Sequence, residues 1–127
     1  MEKVSKGLKN WFLVHFLIDI VFGIPLLFFP EFILNFIGFE FLELFSFRLI
    51  GAALIGIGGA SFFTKSFYEF KIMLTFKILW SVGAIIALVI SLFLEYRIEL
   101  VYVLGIFVVF SVVWIYYMVK LFKTMWA

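Results

Sequence analysis

The stretch Trp11–Phe29 constrains this chain more than any other. It is nineteen residues long and almost wholly apolar. A helix needs about 20 apolar residues to cross the hydrocarbon core of a bilayer, so this stretch is long enough. Yet it contains His15 and Asp19, which are four residues apart and therefore on one helix face. An ionisable group in hydrocarbon costs about 2.5–3.5 kcal/mol on insertion scales unless it faces protein or water. We therefore expect other helices to cover this face.

Composition supports a membrane environment for the whole chain. Of the 127 residues, 67% are hydrophobic and 14% are charged, whereas soluble domains contain about 25% charged residues. Further long apolar runs follow the first, and the alternating pattern of a membrane β-barrel is absent. We predict an all-α integral membrane protein, an up-down four-helix bundle in a single domain covering 1–127. The predicted spans are 11–29, 44–63, 72–94 and 98–119.

The segment 30–43 between the first two spans is too short and too charged to cross a membrane. Pro30 suits the first position of a helix and Gly38 suits a C-terminal cap. Glu31 and Asn35 would share one face of this helix, opposite apolar residues. We predict a two-turn helix lying at the outer membrane interface; the alternative is an extended, aromatic-rich loop.

The distribution of positive charge predicts the orientation. The N-terminus, the 64–71 turn and the C-terminal tail hold seven lysines, namely Lys3, Lys6, Lys9, Lys65, Lys71, Lys120 and Lys123. On the other side, segment 30–43 holds no Lys or Arg and the turn 95–97 holds only Arg97. Because positive loops stay in the cytoplasm, we predict a multi-pass plasma membrane protein with both termini cytoplasmic.

Three predicted spans carry polar side chains at similar depth in the cytoplasmic half, counted along the helical rise. They are His15, Asp19, Lys77, Ser81 and Ser111. We predict that Asp19 pairs with Lys77 or hydrogen-bonds Ser81 or Ser111, with His15 beneath it. This cluster would fix the register of the helices, or serve as a proton or ion site. A third alternative is that Asp19 faces a water-filled vestibule and has no role.

Arg48 lies near the outer end of the second span, where its long side chain can reach the interface. Acidic residues on that side are Glu31, Glu40, Glu43 and Glu99. One interpretation is a network of interfacial salt bridges. The other is that Arg48 binds an anionic lipid headgroup or a carboxylate through its planar donors.

Directly after Arg48, the second span repeats a small residue every four positions, at Ala52, Gly56 and Ala60. Such stripes let membrane helices approach closely. We expect the stripe to pack inside the protein's own bundle, in preference to the alternative, a contact between two copies.

The residue inventory excludes several kinds of site. The chain contains no cysteine and one histidine, so thiolate metal sites, Fe–S clusters and bis-histidine haem are excluded, and we expect no metal or cofactor. No nucleophile elbow, phosphate-binding glycine loop or zincin motif is present, so we predict no enzymatic activity. The net charge of +2 and the lack of a basic aromatic patch outside the spans argue against nucleic acid.

One combination of positions resembles a known group. It consists of Gly23, Pro30, Gly38, Arg48, Gly51, Ala52 and Gly56. This pattern, over about residues 15–60, resembles the small four-span DoxX-like membrane proteins of bacteria and archaea. The resemblance implies a prokaryotic four-helix bundle and a role as accessory subunit of a membrane oxidoreductase assembly, and it transfers no catalytic residue.

Two functions follow as hypotheses. The first is an accessory, interaction or lipid-binding protein whose partners are membrane lipids and another membrane protein or a second copy. The alternative is a small proton-coupled transporter using His15, Asp19 and Lys77. The chain is similar to small multidrug transporters in having four short spans with an acidic residue in the first, where Asp19 replaces their glutamate. Its strong lysine asymmetry departs from their antiparallel dimers.

Overall fold

The computed structural model describes residues 3–38 and 44–126, and these form five helices and no strand. The helices are α1 (Lys6–Phe28), α2 (Pro30–Ile37), α3 (Leu44–Phe63), α4 (Phe67–Leu94) and α5 (Ile98–Trp126). Four of them, all but α2, are long and apolar enough to cross a membrane. The predicted all-helical class with four long apolar helices is thereby confirmed. The up-down bundle, the single domain and the sides of the termini stay predictions.

The short helix expected after the first span is present as α2, between the two residues that predicted its ends. Pro30 occupies its first turn, and the preceding Phe29 has φ −134° and ψ 56°, outside the helical region that a following proline disfavours. Gly38 ends α2 with φ 99°, and its N–H donates to the carbonyl oxygen of Leu34 at 3.0 Å. This left-handed conformation favours glycine. Residues 39–43 of the predicted outer segment lie outside the described residues.

Two of the long helices begin earlier than the predicted spans because a serine caps each of them. Ser5 accepts a hydrogen bond from the Leu8 N–H at the start of α1. At the start of α4, Ser66 accepts from the Glu69 N–H at 3.2 Å, and Glu69 accepts in return from the Ser66 N–H at 3.0 Å. This reciprocal capping box satisfies backbone donors that a helix start leaves open. The turn predicted over 64–71 therefore covers only residues 64–66, between the end of α3 and the start of α4.

The chain divides into two compact units, Ser5–Thr64 and Lys65–Ala127 with Met1–Val4. In the first unit α1 packs against α3, and α2 contacts both. The buried row along α1 is Leu8, Phe12, His15, Asp19, Gly23 and Leu26. Its spacing of three and four residues is that of one helix face. His15 and Asp19 therefore lie in the middle of the packing face of α1.

The closest approach in the first unit is between α1 and α3 at two glycines. A Cβ atom at Gly51 would lie 2.7 Å from the backbone nitrogen of Leu27 and 2.8 Å from the carbonyl oxygen of Gly23. Farther along, the rings of Phe16 and Phe62 lie 4.8 Å apart. The two helices therefore run antiparallel, with backbone against backbone where glycine permits it.

The second unit is a hairpin of α4 and α5. The buried residues of α4 are Phe67, Phe70, Leu74, Lys77 and Ser81. Opposite them, α5 buries Phe110, Ser111, Trp114 and Leu121. Contacts between Trp80 and Phe107 and between Lys71 and Phe122 run along the length of the hairpin. Each unit thus places polar side chains among apolar ones on its packing faces.

Candidate functional site

His15 and Asp19 form a buried pair within α1. The Nδ1 atom of His15 lies 3.1 Å from Oδ2 of Asp19, and the two residues are 7% and 3% exposed. Their separation of four residues brings both side chains to the same side of one turn. The structure therefore brings together the two members of the predicted polar cluster that lie on the first helix.

The surface facing Asp19 is a glycine of α3 that the sequence analysis did not assign to the site. A Cβ atom at Gly58 would lie 2.6 Å from the Cβ atom and 3.2 Å from Oδ2 of Asp19. The carboxylate side chain of Asp19 therefore packs directly on the backbone of α3. One signal was available in the sequence: Gly58 lies seven residues after Gly51, which places both glycines on one helix face.

Ser61 is a second polar residue of α3 that lies on the packing side. It is 4% exposed, and its hydroxyl donates to the carbonyl oxygen of Ile57 at 2.8 Å. The hydrogen bond to the preceding turn satisfies the donor of this buried hydroxyl. Ser61 is therefore a buried polar neighbour on the same helix as Gly58, and the sequence analysis did not include it in the polar cluster.

Lys77 and Ser81 are the buried polar residues of α4, in the second unit. Lys77 is completely buried, and Ser81 is 2% exposed. The Nζ atom of Lys77 lies 5.0 Å from the ring centroid of Trp114, which is also completely buried. This distance is within the range of a cation–π interaction. Trp114 is the aromatic partner that the analysis of the sequence missed.

Ser111 lies on α5, one turn before Trp114. It is 5% exposed, and its Oγ atom has no hydrogen-bond partner within residues 3–38 and 44–126. The neighbouring Phe110 ring stacks on the Trp114 ring at a centroid distance of 5.8 Å. The three polar residues predicted in the last two spans are thus all buried. The pairing of Asp19 with Lys77, Ser81 or Ser111 stays a prediction.

Arg48 lies on the exposed surface of α3. Within its own unit Arg48 forms no ion pair with Glu31, and Glu40 and Glu43 lie outside the described residues. The turn before α5 pairs Arg97 with Glu95, at 3.1 Å between Nε and Oε1. The salt-bridge network around Arg48 stays a prediction.

Within the first unit, the small-residue stripe of α3 takes no part in the close packing on α1. Ala52, Gly56 and Ala60 are all exposed, and no atom lies within 4 Å of a Cβ atom built at Gly56. The close packing within the chain is made by Gly51 and Gly58 instead. The reason is geometric: α3 meets α1 along the three-and-four spacing of a packing face, and a strict spacing of four turns away from it. Both predicted roles of the stripe, packing inside the bundle and contact between copies, stay predictions.

In the described part of the chain, no group of three or more His, Cys, Asp or Glu residues is placed to hold a metal ion. The candidate site therefore consists of two buried polar groups, one in each unit, and one exposed face of α3 headed by Arg48.

Comparison with known proteins identified no relative: no family model, no curated protein and no solved structure matches the chain. The resemblance to DoxX-like proteins stays a prediction.

Proposed function

We propose that this protein is a non-catalytic component of a prokaryotic cell membrane that binds another membrane-spanning helix through the exposed face of α3. In this proposal the four long helices cross the membrane as a bundle, both termini are cytoplasmic, and α2 lies at the outer interface. The lysine asymmetry of the sequence supports this orientation.

The observation that carries the proposal is that α3 has two sets of small residues, of which one packs on α1 and the other is exposed. Gly51 and Gly58 are used against α1, whereas Ala52, Gly56 and Ala60 are exposed. Association of helices in lipid depends on close packing at small residues, because lipid supplies no hydrophobic driving force. A second small-residue face that α1 and α2 do not cover is therefore suited to a helix from another molecule.

Arg48 adds a polar element to the same face. It precedes Ala52, Gly56 and Ala60 by one, two and three turns, and it is exposed. A guanidinium group at the outer end of a packing face can bind a carboxylate of a partner helix or an anionic headgroup through paired hydrogen bonds. Arg48 would thus orient the partner, while the small residues determine how closely it approaches.

The absence of cysteine makes a direct test simple. Gly56→Cys and the control Gly83→Cys each introduce one thiol at an exposed helix position with no atom within 4 Å. Purified protein in vesicles and protein in native membranes are treated with a short thiol-to-amine or thiol-to-thiol cross-linker. We expect adducts from position 56 and none from position 83, and Ala60→Leu should abolish them by filling the face.

The mass of the adduct then distinguishes the two kinds of partner. An adduct of twice the chain mass in vesicles of purified protein identifies a second copy. An adduct found only in native membranes identifies another membrane protein. Equal adduct yields from positions 56 and 83, or adducts that persist in Ala60→Leu, would contradict the proposal.

A second candidate function, proton-coupled transport, rests on the His15–Asp19 pair. A carboxylate and an imidazole 3.1 Å apart, both buried within a helix long enough to span a membrane, are a suitable pair for proton transfer. The test is acidification of vesicles containing a trapped pH dye. Transport predicts faster proton entry through the natural protein than through Asp19→Asn, with the exposed Ser91→Ala as control. Equal rates in all three would exclude it.

A further inference from the structure

We propose that the end of the hairpin formed by α4 and α5 binds the phosphate group of an anionic phospholipid. The site is the α4–α5 lysine patch, which consists of Lys65, Lys71, Lys120 and Lys123. This inference requires only that the helices span a membrane, and it is independent of the partner-binding role proposed for α3.

The patch gathers positive charge from both helices at one end of the hairpin. Lys65 and Lys71 flank the start of α4, and Lys120 and Lys123 lie in the last turns of α5. The Nζ atom of Lys71 lies 5.2 Å from the ring centroid of Phe122. This contact joins the two helices beside Lys123, so charges far apart in the sequence come to one end of the hairpin.

Glu69, the acidic residue at this end, forms no side-chain ion pair with the patch, although its carboxylate interacts electrostatically with Lys65. Glu69 is the only Asp or Glu in residues 64–71 and 116–126. Its Oε2 atom accepts hydrogen bonds from the backbone N–H groups of Lys65 and Ser66, at 2.6 and 3.0 Å. The carboxylate of Glu69 is thus used by the capping box of α4. With four lysines and one glutamate, this end of the hairpin has a positive net charge.

Aromatic rings hold the lysine side chains where lipid headgroups lie. Lys71 lies over Phe122, and the Nζ atom of Lys120 lies 5.9 Å from the ring centroid of Tyr116. Tyr116 in turn contacts Tyr117 edge to face. Aromatic side chains concentrate at the membrane–water interface, and lysine stems follow apolar surface while the ammonium group reaches outward. This arrangement presents several ammonium groups to one layer of phosphates.

The opposite end of the same hairpin provides an internal contrast. It contains Glu95, Arg97 and Glu99, and Arg97 pairs with Glu95 at 3.1 Å. That end has no excess of positive charge. Binding of an anionic lipid should therefore depend on the lysine patch and not on Arg97.

The test uses the full chain in nanodiscs of phosphatidylcholine mixed with phosphatidylglycerol, and native mass spectrometry counts the lipids retained on release. The variants are a triple glutamine variant and a triple arginine variant at Lys71, Lys120 and Lys123, and Arg97→Gln as control. We expect the natural protein, the arginine variant and Arg97→Gln to retain phosphatidylglycerol preferentially. The glutamine variant should lose this preference, by about fivefold for each lysine replaced.

Equal preference in the natural protein and the glutamine variant would overturn the proposal, as would an equal loss in Arg97→Gln. A site for free phosphate is distinguished by adding inorganic phosphate to protein in phosphatidylcholine alone. If phosphate raises the unfolding temperature as much as phosphatidylglycerol does, the lipid assignment is wrong. Should the glutamine variant fold poorly in phosphatidylcholine, Lys123→Gln alone replaces it, with an expected loss of about fivefold.

Discussion

Asp19 of α1 packs on Gly58 of α3 so closely that a Cβ atom at position 58 would lie 2.6 Å from the Cβ atom of Asp19. An ionisable side chain and the glycine that admits it therefore form one structural element. The carboxyl group of Asp19 is buried by contact with the backbone of the neighbouring helix. A shift of α3 along α1 would therefore change the surroundings of the Asp19 carboxyl group.

This relationship predicts that Gly58→Ala is destabilising. The added methyl group must displace either α3 or Asp19, and such overpacking costs about 1–3 kcal/mol. The matched control is Gly59→Ala, the next residue along, where a Cβ atom meets nothing within 4 Å. We expect the control to change stability by less than about 1 kcal/mol. Reversible unfolding in mixed detergent micelles measures both, and equal effects would show that Gly58 is not a packing position.

Gly51→Ala should be at least as destabilising as Gly58→Ala. At position 51 the new methyl group would meet backbone atoms, the nitrogen of Leu27 and the carbonyl oxygen of Gly23. Backbone of a packed helix cannot move aside as a side chain can, so α1 and α3 must separate. The control is Gly83→Ala in α4, where a Cβ atom has open space. A smaller loss for Gly51→Ala than for Gly58→Ala in the same unfolding assay would contradict this account.

The contact between Lys77 and Trp114 should be worth more than a similar contact at the surface. Both residues are completely buried, and the interaction of a cation with an aromatic ring reaches about 2 kcal/mol when desolvated. A double-mutant cycle of Lys77→Met and Trp114→Leu measures its coupling energy. The matched cycle is Lys71→Met with Phe122→Leu, where Phe122 is 41% exposed.

We expect the coupling energy of the buried pair to exceed that of the exposed pair, for which about 0.5–1 kcal/mol is typical. Equal coupling energies in the two cycles would mean that burial does not strengthen the Lys77–Trp114 contact.

The orientation of the chain can be tested with single cysteines, since the natural chain has none. Lys3→Cys and Lys123→Cys should be labelled by a membrane-impermeant maleimide only after the cells are opened. Tyr96→Cys, in the turn between α4 and α5, should be labelled on intact cells. This pattern follows from the excess of lysine on the cytoplasmic side. Labelling of either terminus on intact cells would reverse or break the proposed topology.

Much of the helical architecture could be predicted because its signals are local. Apolar length identified the four long helices, and the bounds predicted for the second span agree with α3 at both ends. Pro30 and Gly38 predicted the ends of α2, since one constrains the residue before it and the other adopts the left-handed conformation. The helices α1 and α4 begin before the predicted spans, because apolar content marks a membrane span and the serine caps that begin these helices lie outside it.

The sequence by itself determined which residues are polar within apolar helices and that His15 and Asp19 share a face, because helical periodicity requires only the spacing along one chain. Which of several glycines in α3 meets α1 was decided by tertiary structure. Gly51, Gly56 and Gly58 are equally small, but only the first and third lie on the packing face. Similarly, the antiparallel hairpin brings the Trp114 ring to Lys77, although the two residues are thirty-seven positions apart in the sequence. Such contacts depend on the register between helices, and that register is set by packing of whole faces, not by any local pattern.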